Sequence, residues 1–408
     1  MIVEFSSFSV FERMVFQHYA AIWKAIIRPP RDLYNTKDLG PEEFTLGRKR
    51  ICRTDLELLN YRGHRLKCSH FQPAPEHRVA EKLPCVVYLH GNSSSRLEAL
   101  SCLPVLLKFN ITLFCLDFSG SGHSDGEYVS LGFYERDDLA VVVDHLRQSG
   151  SVGCIGLWGR SMGASTALLH GDRDPSIAGI VLDSSFTSLR GLAEELVDVF
   201  VGVSLPKWMV SLAMNMIRST IKSKGRFDIN DLAPINHVDK TFIPALFVAA
   251  KADTFILPEH TKKLFTAYAG DKNLIIVEGD HNSARPKFFL DSVAIFFYNT
   301  LQCEQLPKQG NSPFSTHVDY HSTVSSPSFF PTVDEDRVVQ PAAQEVERIR
   351  MRPPDRDNLE WTTDSLDGED FLMQQAIQES LKHVSLEETP LDAVSGQKTT
   401  NSRDNALI

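Results

Sequence analysis

The sequence predicts an α/β architecture, a mostly parallel sheet covered on both faces by helices, and three observations support that prediction. From residue 84 onward, short runs rich in Val, Ile and Leu alternate with stretches of helical periodicity. At one junction between such a run and the helix after it stands Gly159-Arg160-Ser161-Met162-Gly163, a turn of the Gly-x-Ser-x-Gly type. The length, 408 residues at 42% apolar, provides material for one large core or two modest ones with appendages.

The first element lies in residues 1–50, an N-terminal amphipathic helix and lead-in. "MIVEFSSFSVFERMVFQHYAAIWKAIIRPP" is apolar but broken by Glu4, Glu12, Arg13 and Lys24, so it has neither the uninterrupted span of a transmembrane helix nor the layout of a signal peptide. Phe8, Phe11, Val15, Ile22 and Ile26 fall near helical spacing, which predicts a helix ending before Pro29-Pro30. It is expected to pack on its own domain; docking on a membrane surface is the alternative. The main domain, 51–302, opens with "TDLELLN" and "HRLKCSHF", joined through Tyr61-Arg62-Gly63, an antiparallel hairpin at the sheet edge.

Buried strands are then predicted at "PCVVYLH" (84–90), "ITLFCLDF" (111–118), "VGCIGLW" (152–158), "IAGIVLDSS" (177–185), "PALFVAA" (244–250) and "NLIIVEG" (273–279). Helices are predicted over 135–150, 161–170, 258–270 and 286–301. Residues 187–240 interrupt the alternation with a long helical insertion having two apolar faces. That insertion is either a cap that shapes a pocket and excludes water, or a structural addition without substrate contact. After Leu301 the chain turns rich in Pro, Ser and charge, so 303–366 reads as a flexible linker.

Charge is unevenly spread. Residues 304–408 hold 9 Lys+Arg and 19 Asp+Glu, a net of −10 that equals the net of the whole chain. The first 303 residues are formally neutral, which argues against a nucleic-acid surface. Seven cysteines, scattered through apolar runs without the paired spacing of zinc ligands, read as reduced core residues and point to the cytoplasm. No metal and no organic cofactor is implied.

A serine hydroxyl needs a base to take its proton and donors to hold the oxyanion. The glycines of "GRSMG" permit the sharp bend that lifts Ser161 out of the sheet, and the helix starting at Met162 points backbone N–H groups at the reacting oxygen. An acid and a histidine follow just past later strands: Asp253 after "PALFVAA" and His281 after "NLIIVEG". The chain order Ser161, Asp253, His281 suits this topology, with Asp253 orienting the imidazole and His281 passing the proton. A second oxyanion donor is expected from "LHGNSSS" (89–95), where Gly91 lets the backbone approach and the Asn92 N–H joins that of Met162. His90 reads as structural.

With these residues in hand, "LHGN", "LDFSGSGHSDG", "GRSMGA", "LDSSFTSL", "AKADTF" and "GDHN" together resemble the α/β-hydrolase superfamily. More narrowly they are similar to its serine-aminopeptidase-like (S33) intracellular hydrolases, in which "IIRPPRDLY" and "LELLNYRGHRLKCSHF" also recur. The resemblance covers roughly residues 25–302. It implies an α/β-hydrolase fold, the triad Ser161, Asp253 and His281, and oxyanion donors at Asn92 and Met162. "LDFSGSGHSDG" carries over as a structural turn, with Asp117, Gly120 and Gly122 shaping the site wall. Esterases, lipases, thioesterases and peptidases share this fold, so the substrate, a small molecule or an acylated compound, stays open.

Near the end, "DGEDFLMQQAIQESLKHV" (367–384) places Met373, Ala376, Ile377 and Ser380 on one helical face. This resembles the ubiquitin-interacting motif, with Ala376 allowing close approach to an apolar patch and Ser380 making a polar contact. The acidic run before it is short and broken by Gly368. Residues 385–408 read as a disordered tail. The expectation is a cytoplasmic serine hydrolase acting on an ester, thioester or amide, directed by its tail to ubiquitin-marked partners. Its rivals are a ubiquitin-binding adaptor with a scaffold domain and a membrane-associated lipid hydrolase.

Overall fold

The structure, a computed structural model, describes residues 22–201 and 207–307. Phe8, Phe11 and Val15 of the expected N-terminal helix lie outside the described residues. So do nearly all of the linker, the 367–384 segment with Met373, Ala376, Ile377 and Ser380, and the tail 385–408.

Nine strands form one sheet among the described residues: β1 Glu43–Leu46, β2 Lys49–Leu59, β3 Arg65–Pro73, β4 Leu83–Leu89, β5 Thr112–Leu116, β6 Val152–Arg160, β7 Gly179–Asp183, β8 Ala245–Ala250 and β9 Lys272–Val277. They lie in the order β1-β2-β3-β5-β4-β6-β7-β8-β9. β1, β2 and β3 pair antiparallel, and β3 joins β5 antiparallel. From β5 to β9 every pairing is parallel. The predicted hairpin is thus present as β2–β3, but β1 forms the outer edge. A boundary at residue 51 falls inside β2, because the lead-in already belongs to the sheet.

Two apolar cores sit on the two faces, and the period of two along each strand feeds both. On β5, Leu113 and Cys115 face one core while Phe114 and Leu116 face the other; on β4, Val86 and Tyr88 oppose Cys85, Val87 and Leu89. α8 (Lys287–Thr300) covers one face through Phe289, Val293 and Phe297, joined by the short α2 (Leu103–Leu106). Phe289 and Phe297 are fully buried, each worth roughly 1.5–3 kcal/mol of transfer free energy. α3 (Glu135–Gln148), α4 (Met162–Gly171) and α7 (Pro258–Ala267) cover the other face. The chain stays packed slightly past the predicted linker start, with Cys303 in the α8 core.

The insertion after β7 contains α5 (Leu189–Val201) and α6 (Lys207–Gly225), and Leu192, Ala193, Ile217 and Ile221 pack into the α3–α4 side of the core. A helical turn over 22–27, α1, adds Ile22, Trp23, Ile26 and Ile27 to the same core and stops before Pro29-Pro30. No helix among the described residues is long and apolar enough to cross a membrane.

Candidate active site

The site lies beyond the carboxyl ends of the parallel strands. There β4 separates β5 from β6, so consecutive strands run outward in opposite directions and leave a crevice at the switch point. Ser161 follows β6 at φ 52° and ψ −114°, a strained conformation for a non-glycine residue. Its neighbours explain how so tight a turn fits. A Cβ at Gly163 would stand 1.9 Å from the Leu89 carbonyl oxygen, and one at Gly159 would stand 2.3 Å from the Gly163 carbonyl carbon. The Ser161 N–H donates to the Asp183 carbonyl at 2.7 Å, tying the turn to the end of β7.

Asp253 and His281 arrive from the loops after β8 and β9. His281 Nε2 is 3.2 Å from Ser161 Oγ, and His281 Nδ1 is 2.7 Å from Asp253 Oδ2. The other Asp253 oxygen accepts the Phe255 and Ile256 amides at 3.0 and 2.8 Å. A carboxylate so occupied acts as an acceptor, so His281 donates through Nδ1–H and leaves Nε2 bare toward the serine. Ser161, Asp253 and His281 are all buried, and the Phe255 ring packs against the imidazole with centroids 5.2 Å apart.

Asn92 and Met162 line the same cavity as Ser161. Met162 begins α4, and among the described residues neither its amide nor that of Asn92 donates to a protein acceptor. Gly91, expected to allow a close approach, is not demanded by protein packing: a Cβ there would meet its nearest atoms at 3.8 Å. One of those atoms is Ser161 Cβ, so the free space belongs to the site. His90 accepts the Phe118 amide on Nε2 at 3.1 Å and donates Nδ1–H to the Gly91 carbonyl at 2.7 Å, which leaves it no lone pair to act as a base. Asp117, at the start of the "LDFSGSGHSDG" turn, accepts from Tyr34 Oη, the Arg96 amide and the His123 amide.

Two arginines that the sequence reading did not single out fix the His281 loop. Arg160 Nη2 donates to the His281 carbonyl at 2.7 Å, while Nη1 reaches Glu98 Oε1 at 3.3 Å. Glu98 Oε2 in turn accepts the Gly91 amide at 2.9 Å, so one guanidinium links the histidine loop to the loop carrying Asn92. Burial opposes the Arg160 charge, but Glu98 and Asp183 outweigh it and hold its pKa above the usual range. Arg285 grips Asp183 with two bonds of 2.8 and 2.9 Å. Burial would raise the Asp183 pKa; Arg285, then Arg160, more than reverse this and keep the carboxyl below its usual range. Arg160 was in principle legible, since it sits inside the quoted turn.

Among the described residues the remaining walls of the cavity are apolar: Leu131 and Phe186 from loops, Leu189, Leu192, Ala193 and Leu196 from α5, Phe255 and Ile256 beside His281, and Ile22, Ala25 and Ile26 from α1. The insertion therefore contributes a pocket wall. Among the described residues, no cluster of three or more His, Cys, Asp or Glu is arranged to hold a metal ion.

Comparison with known proteins agrees with this architecture. The family profile described as serine aminopeptidase, S33 matches residues 80–230, and that of a PhoPQ-activated pathogenicity-related protein matches residues 201–333. The uncharacterised Bacillus subtilis (strain 168) protein YqkD is 30% identical over 201 residues, which is 48% of this chain and 64% of YqkD, so the match spans less than two thirds of that relative. Among solved structures, an esterase of Pyrococcus furiosus superposes with a TM-score of 0.51 at 22% identity, covering 67% of this chain and 98% of the esterase. An acetyl xylan esterase from Paenibacillus sp. R4 gives 0.50 at 15% identity, with 70% and 93% covered. At these identities the likeness is one of fold: the chain has the α/β-hydrolase fold.

Proposed function

We propose that the chain is a serine hydrolase that cleaves an ester, thioester or amide through an acyl-enzyme. The single observation that carries this reading is the unbroken line from Ser161 Oγ through His281 to Asp253, at 3.2 and 2.7 Å, opening on a cavity. His281 Nε2 takes the hydroxyl proton as Ser161 attacks the carbonyl carbon, and Asp253 stabilises the imidazolium. The amides of Asn92 and Met162 receive the oxyanion. As the tetrahedral intermediate collapses, His281 protonates the leaving group, and a water activated by the same nitrogen then releases the acid. The α/β-hydrolase fold and the esterases that share it support the class of reaction without supplying the acyl group.

The finer address, to ubiquitin-marked partners, rests on the pattern of Met373, Ala376, Ile377 and Ser380. A cytoplasmic setting is supported by seven cysteines that are all free, five of them buried. The test of the catalytic reading is a fluorophosphonate probe applied to the wild type and Ser161→Ala. Labelling of the wild type alone is the expected result; labelling of the folded variant, or none of the wild type, refutes Ser161 as nucleophile.

A further inference from the structure

We propose that the cavity beside Ser161 binds an uncharged aliphatic acyl chain, with one wall supplied by α1, so that the substrate is an ester or thioester of an aliphatic acid and not an aminoacyl compound. This rests on the serine-hydrolase reading and names its substrate class. Apart from Ser161 and Asn92, every described residue lining the cavity is apolar. Among the described residues, the acids of α5 and of the loop after β8 are engaged elsewhere. Glu194 of α5 pairs with Arg190 at 2.8 Å, Glu195 with the buried His260 at 2.8 Å, and Asp253 spends both oxygens on His281 and two amides.

An enzyme that removes amino-terminal residues must hold an α-ammonium, and an ammonium stripped of water needs a carboxylate or several acceptors. Here it would find Asn92 Oδ1, a neutral acceptor that is buried and unpartnered, and Ser161 Oγ. A methylene chain, by contrast, meets Leu189, Leu192 and Leu196 on one side and Ile22, Ala25 and Ile26 on the other. α1 is tied to the site itself: Asn92 Nδ2 donates to the Ala25 carbonyl at 3.4 Å. A segment that precedes the sheet in sequence therefore helps set the length of chain the site accepts.

The test uses the full chain. Fluorophosphonate labelling at Ser161 first decides the underlying reading, and a wild type that is not labelled refutes that reading together with this one. With labelling established, p-nitrophenyl esters from acetate to dodecanoate are compared. The expected result is a rise of about threefold to fourfold in kcat/KM per methylene, then a fall once the chain outgrows the cavity.

The p-nitrophenyl esters of 4-methylpentanoate and leucine differ only in the ammonium group. At a pH where the amine is protonated, the former is expected to be cleaved at least about 100-fold faster. A labelled enzyme that prefers the leucyl ester, or shows no dependence on chain length, overturns the proposal. Ala25→Phe is expected to move the optimum to shorter chains, and Ile26→Ala, used should the first variant not fold, to longer ones. An unmoved optimum in a folded variant overturns the role of α1.

Discussion

At Ser161 the backbone is held in a conformation that costs of order 1–3 kcal/mol, and neighbouring contacts must over-determine it. The Ser161 N–H hydrogen bond to the Asp183 carbonyl, Gly163 pressed against Leu89 with Gly159 against Gly163, and the first turn of α4 do so from three sides. Arg160 does the equivalent for His281 by holding its carbonyl and, through Glu98, the amide of Gly91. Arg160→Met is therefore expected to lower kcat on an activated ester by about 10- to 100-fold, since a shift near 1 Å at a catalytic group carries a penalty of that size. KM should change little, because Arg160 does not line the cavity. Steady-state kinetics on the folded variant check this, and an unchanged kcat contradicts the positioning role. The convergence of Ser161, Asp253 and His281 was legible because each stands beside a strong strand signal in the chain order this topology favours. The Arg160–Glu98–Gly91 link was not, because Arg160 is far in sequence from Glu98 and Gly91 and meets them only when β4 and β6 pair.

Elements whose signal is a continuous apolar run, β4 through β8, were read correctly from the sequence, and so were the long helices. β1 escaped because "EFTL" has two exposed and two half-buried residues and acquires strand character only by pairing with β2. The connection between β4 and β5 gave no helical period because it is mostly 3-10 turns around the four residues of α2. α3 carries a feature that sequence could not supply. Asp138 is buried between the β2–β3 hairpin and the loop after β5, accepting from Asn60 Nδ2 at 2.6 Å and the Ser119 amide at 3.0 Å, with Arg62 at 3.4 Å. Burial pushes its pKa up to about 6, only partly offset by Arg62 and the Ser119 amide. The unfolded chain releases this proton first, so between about pH 4 and pH 6 the folded state binds more protons and the contribution of Asp138 to stability falls as pH rises. Asp138→Asn stays neutral throughout. The difference in Tm, variant minus wild type, is expected to grow across that window and level off above it; a difference that does not change with pH shows that Asp138 titrates as it does in the unfolded chain.

Taken whole, the molecule separates its charge from its chemistry. The region before residue 304 is formally neutral and contains every residue assigned to turnover, while residues 304–408 carry the entire net charge of −10. The fold of the first region follows from local patterns that repeat across the sheet. In the tail the regular signal is the spacing of Met373, Ala376, Ile377 and Ser380. The helix proposed here would bury little area, so capture by ubiquitin is expected to be weak, with Kd in the range of about 100 μM or above. Ala376→Gln places a longer polar side chain where close approach is required. It is expected to weaken binding at least about tenfold in a titration with ubiquitin, while kcat/KM on an aliphatic ester stays within about twofold of wild type. Unchanged ubiquitin affinity would remove the tail from the functional account. A parallel loss of ester turnover would show instead that tail and hydrolase domain are coupled, contrary to the separation that the charge distribution implies.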